Sequence, residues 1–348
     1  MVNRLQLLSL MTAATAASSA LAADSSDWTK LPSLPDKEGF ASMFAGVSGG
    51  ALLAAGGANF PDKKPWEGGK KVWYDTVFVL EKPDGAWKVA GKLPRPLGYG
   101  VSVTHVGRVL CVGGSDESGH RAECFRMAWG DGKLTIASIP ALPQPIANLS
   151  GAVLGDTLYV AGGTEKPDST SALKKFYALD FAAKNATWRE LEPWPGPARM
   201  LAVAAAQDGS FFLASGADLK PGPDGKPVRT YLNDAYRYTP GKGWKRIADL
   251  PRAAVAAPSP APTVGQTKFL VISGDDGTQV NTPPTEHKGF PKTILAYDTA
   301  RDLWRIAGEM PVSRATVPTV FWQNRWHIVS GERRPGVRSP EVWSLQLP

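Results

Sequence analysis

A short apolar strand that ends in glycine recurs six times along this chain. The copies are LLAAGG ending at Gly57, LCVGG at Gly114, LYVAGG at Gly163, FFLASG at Gly216, FLVISG at Gly274 and HIVSG at Gly331. Successive terminal glycines stand 49 to 58 residues apart. A second signal follows most copies: Trp87, Trp188, Trp244 and Trp304 each lie seven residues before a proline, Pro94, Pro195, Pro251 and Pro311. The second copy has Leu134 in that place and a looser run to Pro140 and Pro143. Between the two signals lies a further, mostly aromatic strand: VFVLEK, FYALDF, AYRYTP and ILAYDT. Upstream of most glycine strands a Gly-Gly, Gly-Asp, Asp-Gly or Gln-Asn pair marks a tight hairpin from an inner apolar strand.

Four strands repeated at about 50 residues predict an all-β, six-bladed β-propeller of the Kelch type. Length alone would suggest two domains. However, 36 glycines and 30 prolines are spread along the chain rather than pooled in a linker, and no long helical pattern interrupts them. One propeller domain over residues 23–348 is therefore expected. The sixth repeat lacks its tryptophan strand, and WTKLPSLP near the N-terminus carries it, with Trp28 seven residues before Pro35. The N-terminal strand should thus complete the last blade and remove the open sheet edge.

Residues 1–22 read as a signal peptide. Arg4 precedes a mostly apolar, small-residue run, and Ala20-Leu21-Ala22 has the form cleaved on export. The run is too short and too often interrupted by polar residues to span a bilayer. A periplasmic or secreted location follows as an expectation. In that setting Cys111 and Cys124, on neighbouring strands, permit a cross-strand disulfide. No Cys/His spacing suggests zinc, and no metal or cofactor is expected. The formal charge is +7, but the basic residues form no run, which argues against nucleic acid and fits an acidic small molecule.

Strand parity puts the loops between second and third strands on the same face as the links from one blade to the next. These loops are the long polar ones: 58–71, 115–123, 164–175, 217–232, 275–293 and 332–339. One face thus carries most of the functional groups, around a central funnel. Arg95, Arg199, Arg252 and Arg314 enter from the blade-to-blade links. They either make the funnel positive for an acidic substrate or brace neighbouring blades.

The last of these loops reads Gly331-Glu332-Arg333-Arg334-Pro335-Gly336-Val337-Arg338 and holds a carboxylate and a guanidinium across a Pro-Gly turn. It resembles the G-E-x-x-P-G-x-R motif of the N-acetylneuraminate epimerases, or sialic acid mutarotases, which are exported Kelch propellers. The first repeat is similar to theirs as well, in Gly39-Phe40, Phe44 to Ser48, Gly56 to Phe60 and Glu67 to Lys71, continuing in Gly98 to Ser102. The order is shifted, because the blade with the Glu-Arg motif is last here, as in the cyclically permuted members. A closed ring of blades tolerates such permutation.

The resemblance implies interconversion of the α and β anomers of N-acetylneuraminate, with Glu332 as catalytic base and Arg338 as its partner. Asn59, Glu67, Lys70, Lys71 and Tyr99 are further substrate-contact candidates, and the donor to the ring oxygen stays unassigned. Two other readings stand beside this one: a Kelch propeller that binds carbohydrate without catalysis, and a mutarotase for a different sugar. A copper radical oxidase on the same fold would need Cys, Tyr and His ligands that two cysteines on one blade do not supply.

Overall fold

The computed structural model describes residues 27–347; the signal-peptide expectation lies outside the described residues. Six four-stranded antiparallel sheets succeed one another along the chain. The first blade is Phe44–Ser48, Ala51–Ala55, Thr76–Leu80 and Lys88–Lys92. The second is Val101–His105, Arg108–Asp116, Gly119–Gly130 and Lys133–Ile139, and the third Ser150–Leu154, Thr157–Ala161, Phe176–Asp180 and Trp188–Leu191. The fourth is Val203–Gln207, Ser210–Ala214, Ala235–Thr239 and Gly243–Ile247, and the fifth Thr263–Val264, Lys268–Ile272, Thr293–Asp298 and Leu303–Glu309. In the sixth, Thr319–Trp322, Arg325–Val329 and Val342–Leu345 are joined by the N-terminal strand Trp28–Leu31. Trp28 pairs with Leu345 and Leu31 with Val342, so the expected closure of the six-bladed propeller is present.

The tight turns follow their sequences. Gly49-Gly50, Asp208-Gly209 and Gln323-Asn324 all have positive φ at both positions, the twist a two-residue hairpin needs. Two segments differ from expectation. Residues 115–123 are not an open loop: both strands run on through a register shift between Arg121 and Cys124 to a short turn at Glu117-Ser118. The inner strand of the fifth blade shrinks to two residues, because Pro258, Pro260 and Pro262 supply no N–H for a ladder.

No single core holds the molecule. Six apolar clusters each lie between two adjacent blades, among them Phe44 and Leu53 of the first against Val109 and Cys111 of the second. Both faces of each sheet are therefore covered, which is why the glycine-ended strands are continuous apolar runs rather than alternating ones. The outer-strand tryptophans lock the same interfaces. The indole N–H groups of Trp87, Trp188, Trp244 and Trp304 donate at 2.8 Å to the carbonyls of Pro32, Pro140, Glu192 and Ala248, each 48 to 56 residues earlier.

Cys111 and Cys124 are both free and buried. The register explains why the permitted disulfide does not form. Cys111 lies opposite Phe125, so its neighbour Cys124 faces the other side of the sheet. The two thiols belong to different inter-blade clusters.

Around the axis the blades close a ring of hydrogen bonds. Ser42 donates its N–H to the Thr316 carbonyl, Thr316 to Ala256, Ala256 to Leu201, Leu201 to Asn148, Asn148 to Tyr99 and Tyr99 to Ser42, at 2.6–3.1 Å. All six residues hold φ between 53° and 63°, a conformation that costs an L-residue roughly 1–2 kcal/mol. Six bridges, from Ala41–Ala58 to Ala315–Glu332, tie the entry of each blade to its own loop between second and third strands. Both sets of loops accordingly lie on one face, above the ring.

Candidate active site

The ring forms the collar of an axial funnel. Below it runs a narrow channel of about 60 Å³, lined by all six collar residues and by Met43, Leu149 and Val317. Above it opens a cavity of about 310 Å³, within the usual range for small-molecule sites of roughly 300–1,000 Å³. Glu332, Arg338, Lys71, Tyr99, Asn148 and Arg229 are among the residues that line this upper cavity.

Local backbone geometry brings the acid and the base together. Glu332–Arg334 and Val337–Arg338 form a miniature ladder in which Glu332 is directly opposite Arg338. The Pro335-Gly336 turn that joins them needs glycine. Gly336 has φ 77°, and a Cβ there would stand 2.9 Å from the Trp66 ring and 3.1 Å from Pro65. The backbone of Glu332 is held on its other side by two 2.9 Å bonds with Ala315.

Glu332 Oε1 lies 2.8 Å from Arg338 Nη1, with side-chain exposures of 14% and 5%. Oε1 also accepts the Gly336 N–H at 3.2 Å, and Oε2 lies 3.0 Å from the Thr316 hydroxyl. That hydroxyl has a single proton, shared with the Ala315 carbonyl at 2.7 Å. Phe60 covers the guanidinium, 4.7 Å from ring centroid to Cζ. Arg338 Nε and Nη1 nevertheless lack an aligned hydrogen-bond acceptor, the contact to Glu332 being an ion pair without hydrogen-bond alignment. Arg338 also lines the cavity, where a guanidinium suits an incoming carboxylate.

The other expected site residues divide sharply. Lys71 and Tyr99 join the pair in the cavity, and the Lys71 ammonium sits 4.8 Å from the Tyr99 ring centroid. Asn59 does not: it is 1% exposed, donates to the Gly39 carbonyl and accepts from the Tyr74 hydroxyl, so it shapes the loop. Exposed Glu67 accepts the Lys64 N–H within a short 3-10 turn, and exposed Lys70 lies outside the cavity.

The four arginines are corrected to braces. Arg199, fully buried, pairs with Asp234 at 2.8 Å and donates to the Ser215 carbonyl. Arg314, equally buried, pairs with Glu341 at 2.7 Å. Arg252 donates to the carbonyls of Ala253, Ser273 and Thr293. Burial pushes the pKa of Arg252 and Arg314 below the usual value, with Glu341 working against it for Arg314. Arg95 is exposed and reaches Asp116 and Glu123 at 3.4 Å.

Sequence reasoning missed Asn148, Thr316, Arg229 and Asp275. Arg229 reaches the cavity on the hairpin Ala217–Pro221/Pro227–Tyr231, and Asp275 accepts from the Tyr231 hydroxyl at 3.1 Å. Burial, then Asp275, raises the Tyr231 phenol above its ordinary value. The equivalent places of Asn148, Thr316 and Tyr99 before successive inner strands were the one available signal. Among the described residues, no group of three or more His, Cys, Asp or Glu side chains converges as a metal site.

Known proteins resemble this chain over much of its length. The family model described as N-acetylneuraminate epimerase matches residues 8–136 and 139–282. The Glu332–Arg338 turn lies beyond those stretches. An N-acetylneuraminate epimerase of Haemophilus influenzae is 30% identical over 230 residues, 58% of either chain. Those of Yersinia pestis and Brucella suis are 38% and 41% identical over 112 and 122 residues, covering 29% and 30% of this chain and 28% and 31% of those proteins. The chain thus spans less than two thirds of the length of these relatives. With the family model matching well over half of its residues, the chain belongs to the N-acetylneuraminate epimerase family.

Proposed function

We propose that this protein interconverts the α and β anomers of N-acetylneuraminate by opening and reclosing the sugar ring. The observation that carries the reading is the Glu332–Arg338 pair, 2.8 Å apart in a cavity at the mouth of the funnel. Glu332 takes the proton of the anomeric hydroxyl. The electrons of that O–H bond form the ketone as the ring C–O bond breaks, and the ring oxygen leaves with a proton. Rotation about the bond between the ketone carbon and the next carbon of the opened chain turns the other carbonyl face to the hydroxyl, and reversal of the steps gives the other anomer.

Arg338 has two roles in this scheme. It holds the Glu332 carboxylate in place through the 2.8 Å ion pair, and its guanidinium, which lines the cavity, receives the sugar carboxylate. General-base assistance of this kind contributes roughly 10²–10⁴-fold, which suffices for a reaction that already proceeds in water. Lys71 and Tyr99, which line the same cavity, are the candidates to protonate the ring oxygen.

NMR exchange between the two anomers tests the reading. The native protein should accelerate exchange, and Glu332→Gln should return it to the buffer rate. Well-folded native protein with no effect on exchange would leave a sugar-binding propeller or a different sugar. A periplasmic or secreted location is part of the proposal, supported by the N-terminal sequence. N-terminal sequencing of the processed protein should find Ala23.

A further inference from the structure

Asn148, like Thr316, is a collar residue whose polar side chain is anchored outside the collar. Its φ of 58° and its backbone bonds to Tyr99 and Leu201 are the same as its neighbours'. Its Nδ2 donates at 3.1 Å to Thr164 Oγ1 on the loop between second and third strands of its own blade. Thr164 Oγ1 stands 3.0 Å from His120 Nε2, and His120 Nδ1 3.0 Å from Ser115 Oγ. Ser115 Oγ in turn faces two carbonyls, Gly119 at 3.2 Å and Asp116 at 3.3 Å.

The direction of this array is set at its far end. Ser115, facing carbonyls that only accept, must donate its hydroxyl proton to one of them. It therefore accepts from His120 Nδ1–H. His120 Nε2 is left as an acceptor and takes the Thr164 proton, so Thr164 accepts from Asn148. Burial holds His120 neutral, bringing its pKa down to about 4 against an opposing pull from Asp168. The collar uses both backbone groups of Asn148 and the array one of its two Nδ2 protons, and Oδ1 accepts nothing from the protein among the described residues.

We propose that Asn148 is a substrate-contacting residue whose Oδ1 accepts a hydrogen bond from a hydroxyl or acylamino N–H of the sugar, and that Thr164 and His120 are the positioning residues that hold the amide in that sense. This deepens the function proposed above and rests on it for the identity of the sugar.

Two measurements test it. ¹⁵N NMR of His120 in the full-length native protein should find the ring proton on Nδ1, and Thr164→Val should release it toward Nε2. Calorimetric binding of N-acetylneuraminate should weaken about tenfold in Asn148→Leu. The collar already holds leucine in the same backbone conformation at Leu201, so the fold tolerates the change. Thr164→Val should weaken binding in the same direction and Thr164→Ser should restore it. Analogues each lacking one sugar donor tell the two sources apart, because only the one missing the relevant group loses nothing further in Asn148→Leu.

A ring proton on Nε2 in the native protein overturns the array whatever the protein binds. Binding by Asn148→Leu within twofold of native overturns the contact. A native protein that binds no N-acetylneuraminate refutes the proposed function and the sugar contact with it, while the tautomer still judges the array.

Discussion

Trp28 and Trp304 occupy the same place in their blades and are each 7% exposed, yet differ in one bond. Trp304 donates its indole N–H to Ala248 across the blade interface at 2.8 Å, whereas Trp28 Nε1 is buried without a partner. Replacing each by phenylalanine removes a similar amount of apolar surface, so the polar terms decide the difference. In Trp304→Phe the Ala248 carbonyl loses its donor. In Trp28→Phe a buried, unsatisfied donor disappears. Leaving a buried polar group unpaired costs about 1–3 kcal/mol. Taking the low end for both effects, because Ala248 is only half-buried, gives a gap of about 2 kcal/mol, with Trp304→Phe the less stable. Truncation to alanine adds the cavity, and Trp304→Ala should lose about 3–5 kcal/mol. Urea unfolding followed by circular dichroism, compared at a common m-value, measures the gap. Trp28→Phe as damaging as Trp304→Phe would refute the reasoning, since it would mean that the indole N–H of the closing strand makes a bond the fold depends on.

Four further outcomes are expected. Thr316→Val keeps the branched shape at φ 53° but deletes the hydroxyl beside Glu332; anomer exchange should slow about tenfold without loss of stability. Gly336→Ala meets a left-handed backbone and the Trp66 ring together; it should destabilise by about 1–3 kcal/mol and slow exchange by displacing the Glu332–Arg338 turn, read by thermal melting and NMR. Arg199→Met breaks a buried ion pair with Asp234 and should cost about 3–5 kcal/mol, yet leave KM unchanged in folded protein, since Arg199 braces and does not line the cavity. Burial alone would raise the Glu341 carboxyl, but bonds from Lys30, Arg314 and Trp343 outweigh it and bring it down to about 2 from 4.5. Its stabilisation is therefore present above pH 4.5 and lost as pH falls toward 2, and Glu341→Gln should flatten acid denaturation across that window.

The architecture was legible because it is written locally and six times over. Each glycine-ended strand is apolar throughout, since blades cover both of its faces, and each tryptophan stands at a fixed distance from its proline. Trp28, out of place at the N-terminus, therefore announced the ring closure before any contact was known. The proximity of Glu332 and Arg338 was legible because a Pro-Gly turn holds together two side chains six positions apart, whereas their reading as a site came from the resemblance to the epimerase motif.

What only the tertiary structure decided is where a side chain points once blades far apart in sequence meet. Arg199 and Arg314 could have faced the funnel; they turn outward because Asp234 and Glu341 wait there. Cys111 and Cys124 sit on paired strands, and the register sends them to opposite faces. Asn148 looked like any loop residue until a closed ring of hydrogen bonds placed it on the collar. Strand periodicity is a property of each segment and survives in the sequence. The lining of a central funnel belongs to six segments at once, and is set by bonds between residues some fifty positions apart.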